Sequence, residues 1–144
     1  MTASVVKTNY LLQRDAERRS AKIYTLELPL PPSVNRFKHT KRGRPLGNKS
    51  PNVVAWRKEA DFALWQQKPL PSIKGPLRAH IVWPVEEFRL FDADNRVKVL
   101  LDFLQSRQII ANDRDCIGPD PEFGPEAKKG WCFIELWSVP DPRG

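Results

Sequence analysis

Two aspartates one residue apart, Asp92 and Asp94, lie in the stretch FDADNRVKVLLDFL at residues 91–104, with Lys98 four positions after Asp94 and Asp102 four after that. A further aspartate, Asp113, follows a short apolar return. Carboxylates gathered without cysteine or zinc-spaced histidine suit a hard, oxygen-seeking cation, Mg2+ or Mn2+. Two or three of them on one ion can orient and deprotonate a water and neutralise charge on a phosphoryl group. A lysine beside them supplies fixed positive charge for an anionic transition state. A helix beginning near Asn95 would add free backbone N–H groups suited to a phosphate. The same residues also admit a purely structural reading. Asp94 can be a plain N-cap, Asp92 a companion to the helix dipole, and Lys98 an i, i+4 partner of Asp94 or Asp102 worth only about 0.2–0.5 kcal/mol.

These side chains need elements to hold them. Val97, Leu100, Leu101 and Leu104 stand at i, i+3, i+4 and i+7, which predicts a helix from near Asp94 to near Arg107, packed by one stripe against a sheet. After QII the chain turns through ANDRDC, where a connection can bring Asp113 back toward Asp92, with Asp115 a second candidate for that place. Upstream, KIYTLELPL alternates Tyr24, Leu26 and Leu28 with Ile23, Thr25 and Glu27 until Pro29, Pro31 and Pro32 stop it, a strand signature. Ser50 followed by Pro51 reads as a capping hydroxyl before a helix, and Val53, Trp56, Ala60, Ala63 and Leu64 keep an apolar stripe to about Gln67. Pro69 and Pro71 end it. LRAHIVWP is a second strand, with Arg78 and His80 opposite its apolar face, and the lone histidine is read as structural. WCFIELW is apolar on both faces and is expected to be central or covered on both sides. These elements read as a small single domain over 21–140, with two main helices on a sheet in the order β-α-β-α-β. Residues 1–20 read as a charged extension, disordered in part or folding as a short helix on binding. No repeat or domain linker interrupts the chain, and GPDPEFGPEAKKG is read as irregular.

The chain has 144 residues, enough for one ordinary core. Its 24 basic against 17 acidic residues leave a net charge of +7, which favours a polyanionic partner. That charge is concentrated in SVNRFKHTKRGRPLGNKS, where Arg36, Lys38, Lys41, Arg42, Arg44 and Lys49 stand with no acid among them. Such a segment is either a solvated loop or an arm on phosphates, and Phe37 and His39 within it favour nucleic acid, since stacking accompanies charge there. Cys116 and Cys132 form no CxxC pair or zinc-spaced cluster, and no apolar signal opens the sequence, so a reducing, cytoplasmic setting is expected. No apolar run nears the roughly 18 residues a membrane span requires.

Taken in order, PPSVNR after an opening strand, the basic loop, DADNRVK with LLDFL, and IIANDRD resemble the RusA family of Holliday junction resolvases, bacterial and prophage-encoded endonucleases. The resemblance runs from about Ile23 to Trp137, and its most specific part is the D-x-D-N-x-x-K-x-x-x-D run; it implies an α+β fold with a mixed β-sheet, consistent with the β-α-β-α-β order read above. It implies that Asp92, Asp94 and Asp113 are metal-binding acids and Lys98 the catalytic lysine, with Mg2+ or Mn2+ as cofactor and no organic cofactor. It further implies a homodimer whose two sites make paired, symmetric nicks in one four-way DNA junction during recombination and repair, with the 36–49 loop as a junction-contacting arm. The chain departs from the family pattern at Asn112, where an aspartate usually precedes the final acid, and in its N-terminal stretch and 118–130 insert. Two other readings stay open: a catalytically inert junction-binding or DNA-architectural protein, and a metal nuclease of flaps or forks.

Overall fold

Alternation in the first strand and the last is what builds the sheet. The computed structural model describes residues 3–33, 40–41, 44–45, 50–88 and 93–141. In chain order the elements are α1 (Ala3–Ser20), β1 (Tyr24–Pro29), β2 (Thr40–Lys41), β3 (Arg44–Pro45), α2 (Pro51–Gln66), β4 (Leu77–Trp83), α3 (Ala93–Ser106), β5 (Asp120–Phe123) and β6 (Trp131–Ser138), with short 3-10 turns at Val85–Glu87 and Asp113–Asp115. The main sheet runs β1-β6-β4-β5. β6 lies antiparallel between β1 and β4, whereas β5 pairs parallel with β4, so the sheet is mixed and the fold is α+β. The doubly apolar β6 is indeed central. Among the described residues, no helix is long and apolar enough to cross a membrane.

The register puts Leu26, Ile134 and Ile81 in line across three strands. Their face is buried together with α2 and α3, through Trp56, Ala60 and Leu64 of α2 and Leu100, Phe103 and Leu104 of α3. Trp56 ties the layers: its ring meets Phe103 edge-on at 5.0 Å and its indole N–H donates to the Pro29 carbonyl at 2.8 Å. Burying two such aromatics contributes several kcal/mol beyond what helix propensity supplies. At the start of α2, Ser50 is the N-cap residue and is buried, yet its hydroxyl makes no capping bond. The helix start rests instead on Pro51 at the first position, whose fixed φ suits a helix.

Between 3 and 20 the structure has a helix where the sequence was read as an extension. Its inward positions explain why: Leu11, Arg14, Glu17 and Arg18 are half-buried at helical spacing, and three of the four are charged. They meet the sheet face opposite the core. Arg14 pairs with Asp120, Arg18 with Glu135 at 2.8 Å, and Arg78 with Glu17 at 3.0 Å. The Arg18 guanidinium also lies 5.6 Å from the Trp137 ring centroid. At the centre of this layer His80 is 5 % exposed, its Nδ1 2.8 Å from Glu135 and its Nε2 2.6 Å from Glu122. The fold therefore has three layers and a third helix beyond the two expected. β5 is the other addition, drawn from the segment read as irregular. As an edge strand it tolerates Pro121, which has no N–H to give a further neighbour.

Candidate active site

α3 carries its apolar stripe inward and its chemistry outward. Val97, Leu100, Leu101 and Leu104 are buried as their spacing predicts, while Asp94, Lys98 and Gln105 are exposed and Asp102 half-buried. At 100° per residue these four polar groups fall within about 80° of the helix circumference. They form a single line from the first turn to the last. Among the described residues none of Asp94, Lys98 and Asp102 enters an ion pair, so the i, i+4 bridges expected of a merely structural lysine are not made.

The return from α3 is fixed by backbone bonds. Gln108 takes a left-handed φ of 61° that ends the helix without glycine. Ile73 N–H then donates to the Ile109 carbonyl at 2.9 Å and Ala111 N–H to the Ile73 carbonyl at 3.0 Å. This lays the chain beside the segment that follows α2 and delivers it to the Asp113–Asp115 turn. Two amide side chains hold that turn. Gln105 accepts from the Asp113 N–H at 2.8 Å, and Asn112 Oδ1 accepts from the Arg114 N–H at 2.9 Å as the turn's N-cap. Asn112 thus performs by its carbonyl oxygen the capping that an aspartate would perform by its carboxylate. Asp113 and Asp115 are both half-buried.

Asp94 and Lys98 share the first turns of α3, and Asp113 is tied by its backbone to Gln105 near the helix's other end. Along the axis Asp94 and Gln105 are about 16 Å apart, with Lys98 and Asp102 between them. Asp92 lies outside the described residues, and among those described no three His, Cys, Asp or Glu groups are arranged to hold a metal. The donor chemistry nonetheless suits a hard cation, since the described acids are carboxylates unspent in ion pairs. Arg36, Lys38, Arg42 and Lys49 of the basic loop also lie outside the described residues. Lys41 and Arg44 face each other in the antiparallel β2–β3 pair. Arg96, which sequence reasoning passed over, donates from Nη1 to the Pro31 carbonyl at 2.8 Å. It fastens the chain leading into the basic segment to the first turn of α3. Gln105 was missed as well. Its place on the acid face, at helical spacing from Asp94 and Lys98, is the signal that could have found it.

A family model described as endodeoxyribonuclease RusA matches residues 29–118, from the end of β1 through α3 and the Asp113–Asp115 turn. No curated protein matches the chain.

Proposed function

This chain belongs to the RusA family of endodeoxyribonucleases, and we propose that it is a Mg2+-dependent, structure-selective nuclease that resolves four-way DNA junctions by paired symmetric nicks. The observation that carries the reading is the outward face of α3, where Asp94, Lys98 and Asp102 are aligned and unspent in ion pairs among the described residues. Among the described residues no ion pair occupies these groups, which leaves them available to a cation and a phosphate.

In this reading Asp92, Asp94 and Asp113 would hold Mg2+, with Mn2+ an alternative, which asks the Asp113 side chain to reach back along α3 toward Asp94. Bound there, the ion supplies charge neutralisation at the phosphate and acidifies a water. Lys98 holds the scissile phosphate by its ammonium, and Asp102 stands on the same face between the two groups of acids. Gln105 and Asn112 fix the turn that presents Asp113. Arg36, Lys38, Lys41, Arg42, Arg44 and Lys49 grip the phosphate backbone, a sequence-independent contact that positions the junction. Two equivalent strands cut in register call for two equivalent sites, hence a homodimer.

The test is a synthetic four-way junction labelled on each strand in turn, with Mg2+, comparing the wild type with Asp92→Asn. Paired symmetric nicks that vanish in the variant and in EDTA are expected. A wild type that binds the junction tightly and never cuts it would make the protein a junction-binding module, and a preference for flaps or forks would make it a different nuclease.

A further inference from the structure

The outward face of α2 carries an apolar stripe that no described element covers. Val54 is 45 % exposed, Phe62 63 % and Trp65 67 %, although the opposite face of the same helix buries Val53, Trp56, Ala60, Ala63 and Leu64. With 100° per residue, Val54, Lys58, Phe62 and Trp65 lie within an arc of about 80°. Beside them Trp131, 38 % exposed, and Phe62 wall a groove of about 530 Å³ floored by Pro29 and Ala63. An aromatic side chain presents about 150–250 Å², so these three rings leave roughly 400 Å² of apolar surface in water. That is about half of the roughly 800 Å² each partner contributes to a standard interface, and ample for its dry centre.

The stripe is also self-complementary. Turned end for end about a point near Glu59 and Ala60, Val54 exchanges with Trp65 and Lys58 with Phe62. A small side chain then meets a large one and an ammonium meets an aromatic face, each twice over. An isologous contact has this property, in which residue i touches j and j touches i; a foreign partner imposes no such symmetry. We propose that two copies of this chain associate through an antiparallel α2–α2 pair, with Trp131 of each copy seated at its margin. The inference deepens the homodimer of the proposed function and rests on it.

The pair also has a means of setting the distance between two active faces. Trp56 of α2 packs on Phe103 of α3, and Arg107, just past the end of α3, forms a two-pronged ion pair with Asp61 of α2. The helix that joins the copies is thereby braced against the helix that carries the acids.

The test is the oligomeric state of the full chain without DNA, by sedimentation and light scattering, for the wild type and Phe62→Glu, with circular dichroism to check the fold. The wild type is expected to be a dimer, and Phe62→Glu to weaken it by about 30-fold or more, the scale of one hot-spot side chain. Val54→Cys combined with Trp65→Cys should give a disulfide-linked dimer that neither single variant gives. If the wild type is monomeric, the homodimer reading fails and this inference with it. If Phe62→Glu and the double-cysteine protein behave as the wild type dimer does, the homodimer stands and this face is excluded. A Phe62→Glu dimer of unchanged strength that has lost junction binding would assign the face to DNA instead.

Discussion

Replacing Lys98 by alanine separates chemistry from scaffold. The side chain is exposed and makes no ion pair among the described residues, so its removal forfeits no buried contact. Substitutions of this kind stay within about 0.5 kcal/mol, and alanine is if anything the better helix former. For a domain of this size that moves Tm by no more than about 4 °C. Taking away a preorganised positive charge at a reacting phosphate, by contrast, costs about 10²–10³ in rate, or roughly 3–4 kcal/mol of transition-state stabilisation. The assay is single-turnover cleavage of a labelled four-way junction with protein in excess, run beside thermal unfolding and junction binding by anisotropy. Binding and Tm should hold while the rate falls, and Lys98→Arg, which keeps the charge in a different shape, should recover part of it. Cutting at the wild-type rate, or a Tm lowered by about 10 °C, would refute the reasoning and return Lys98 to the scaffold.

Three other outcomes are expected. Gln105→Leu removes the acceptor for the Asp113 N–H; because the site is exposed, stability should change by less than about 1 kcal/mol, while the Mg2+ concentration for half-maximal cutting rises about 10–100-fold. Trp56→Ala opens the α2–α3 contact and removes the indole donor to the Pro29 carbonyl, so urea denaturation should register a loss of about 3–5 kcal/mol. Burial pushes the Cys116 thiol up to about 11 and the Cys132 thiol up to about 12. Both should therefore react slowly with a disulfide reagent at pH 8 in the native protein and quickly in guanidinium. Their sign in linkage follows: the unfolded chain releases these protons near its ordinary value of 9.0 while the native one retains them, so stability is whole below that pH and declines as pH rises through it.

Much of the core and the acid face of α3 could be read from residue order, because their signals are periodic. The Val97 to Leu104 stripe fixes which side of α3 is buried, and hence which side Asp94, Lys98 and Asp102 must occupy. β6 declared itself central by being apolar on both faces. What escaped was written in polar residues. α1 docks with Arg14, Glu17 and Arg18 as its inward stripe, which a search for apolar spacing passes over. β5 is four residues long and includes a proline, so only its parallel pairing with β4 identifies it. The bond of Arg96 to the Pro31 carbonyl spans 65 residues, which no local window contains, whereas the Asn112 cap and the Gln105 bond to Asp113 lie within eight residues and escaped because they carry no apolar period.

The docking of α1 has a consequence for how the chain comes to be built. In the direction of synthesis α1 precedes every strand, yet the partners of its ion pairs lie 61, 106 and 117 residues downstream. At roughly 5–20 residues per second, on the order of ten seconds separates the appearance of Arg14 and Arg18 from that of Asp120 and Glu135. An 18-residue helix is marginal on its own in water, and in its described part the half-buried positions are three charged residues and Leu11. A charged inner stripe lets it wait in solvent without seeking a wrong hydrophobic partner. Two of the three ion pairs that seat α1 need β5 and β6, so its full set of native partners exists only once those strands have been made.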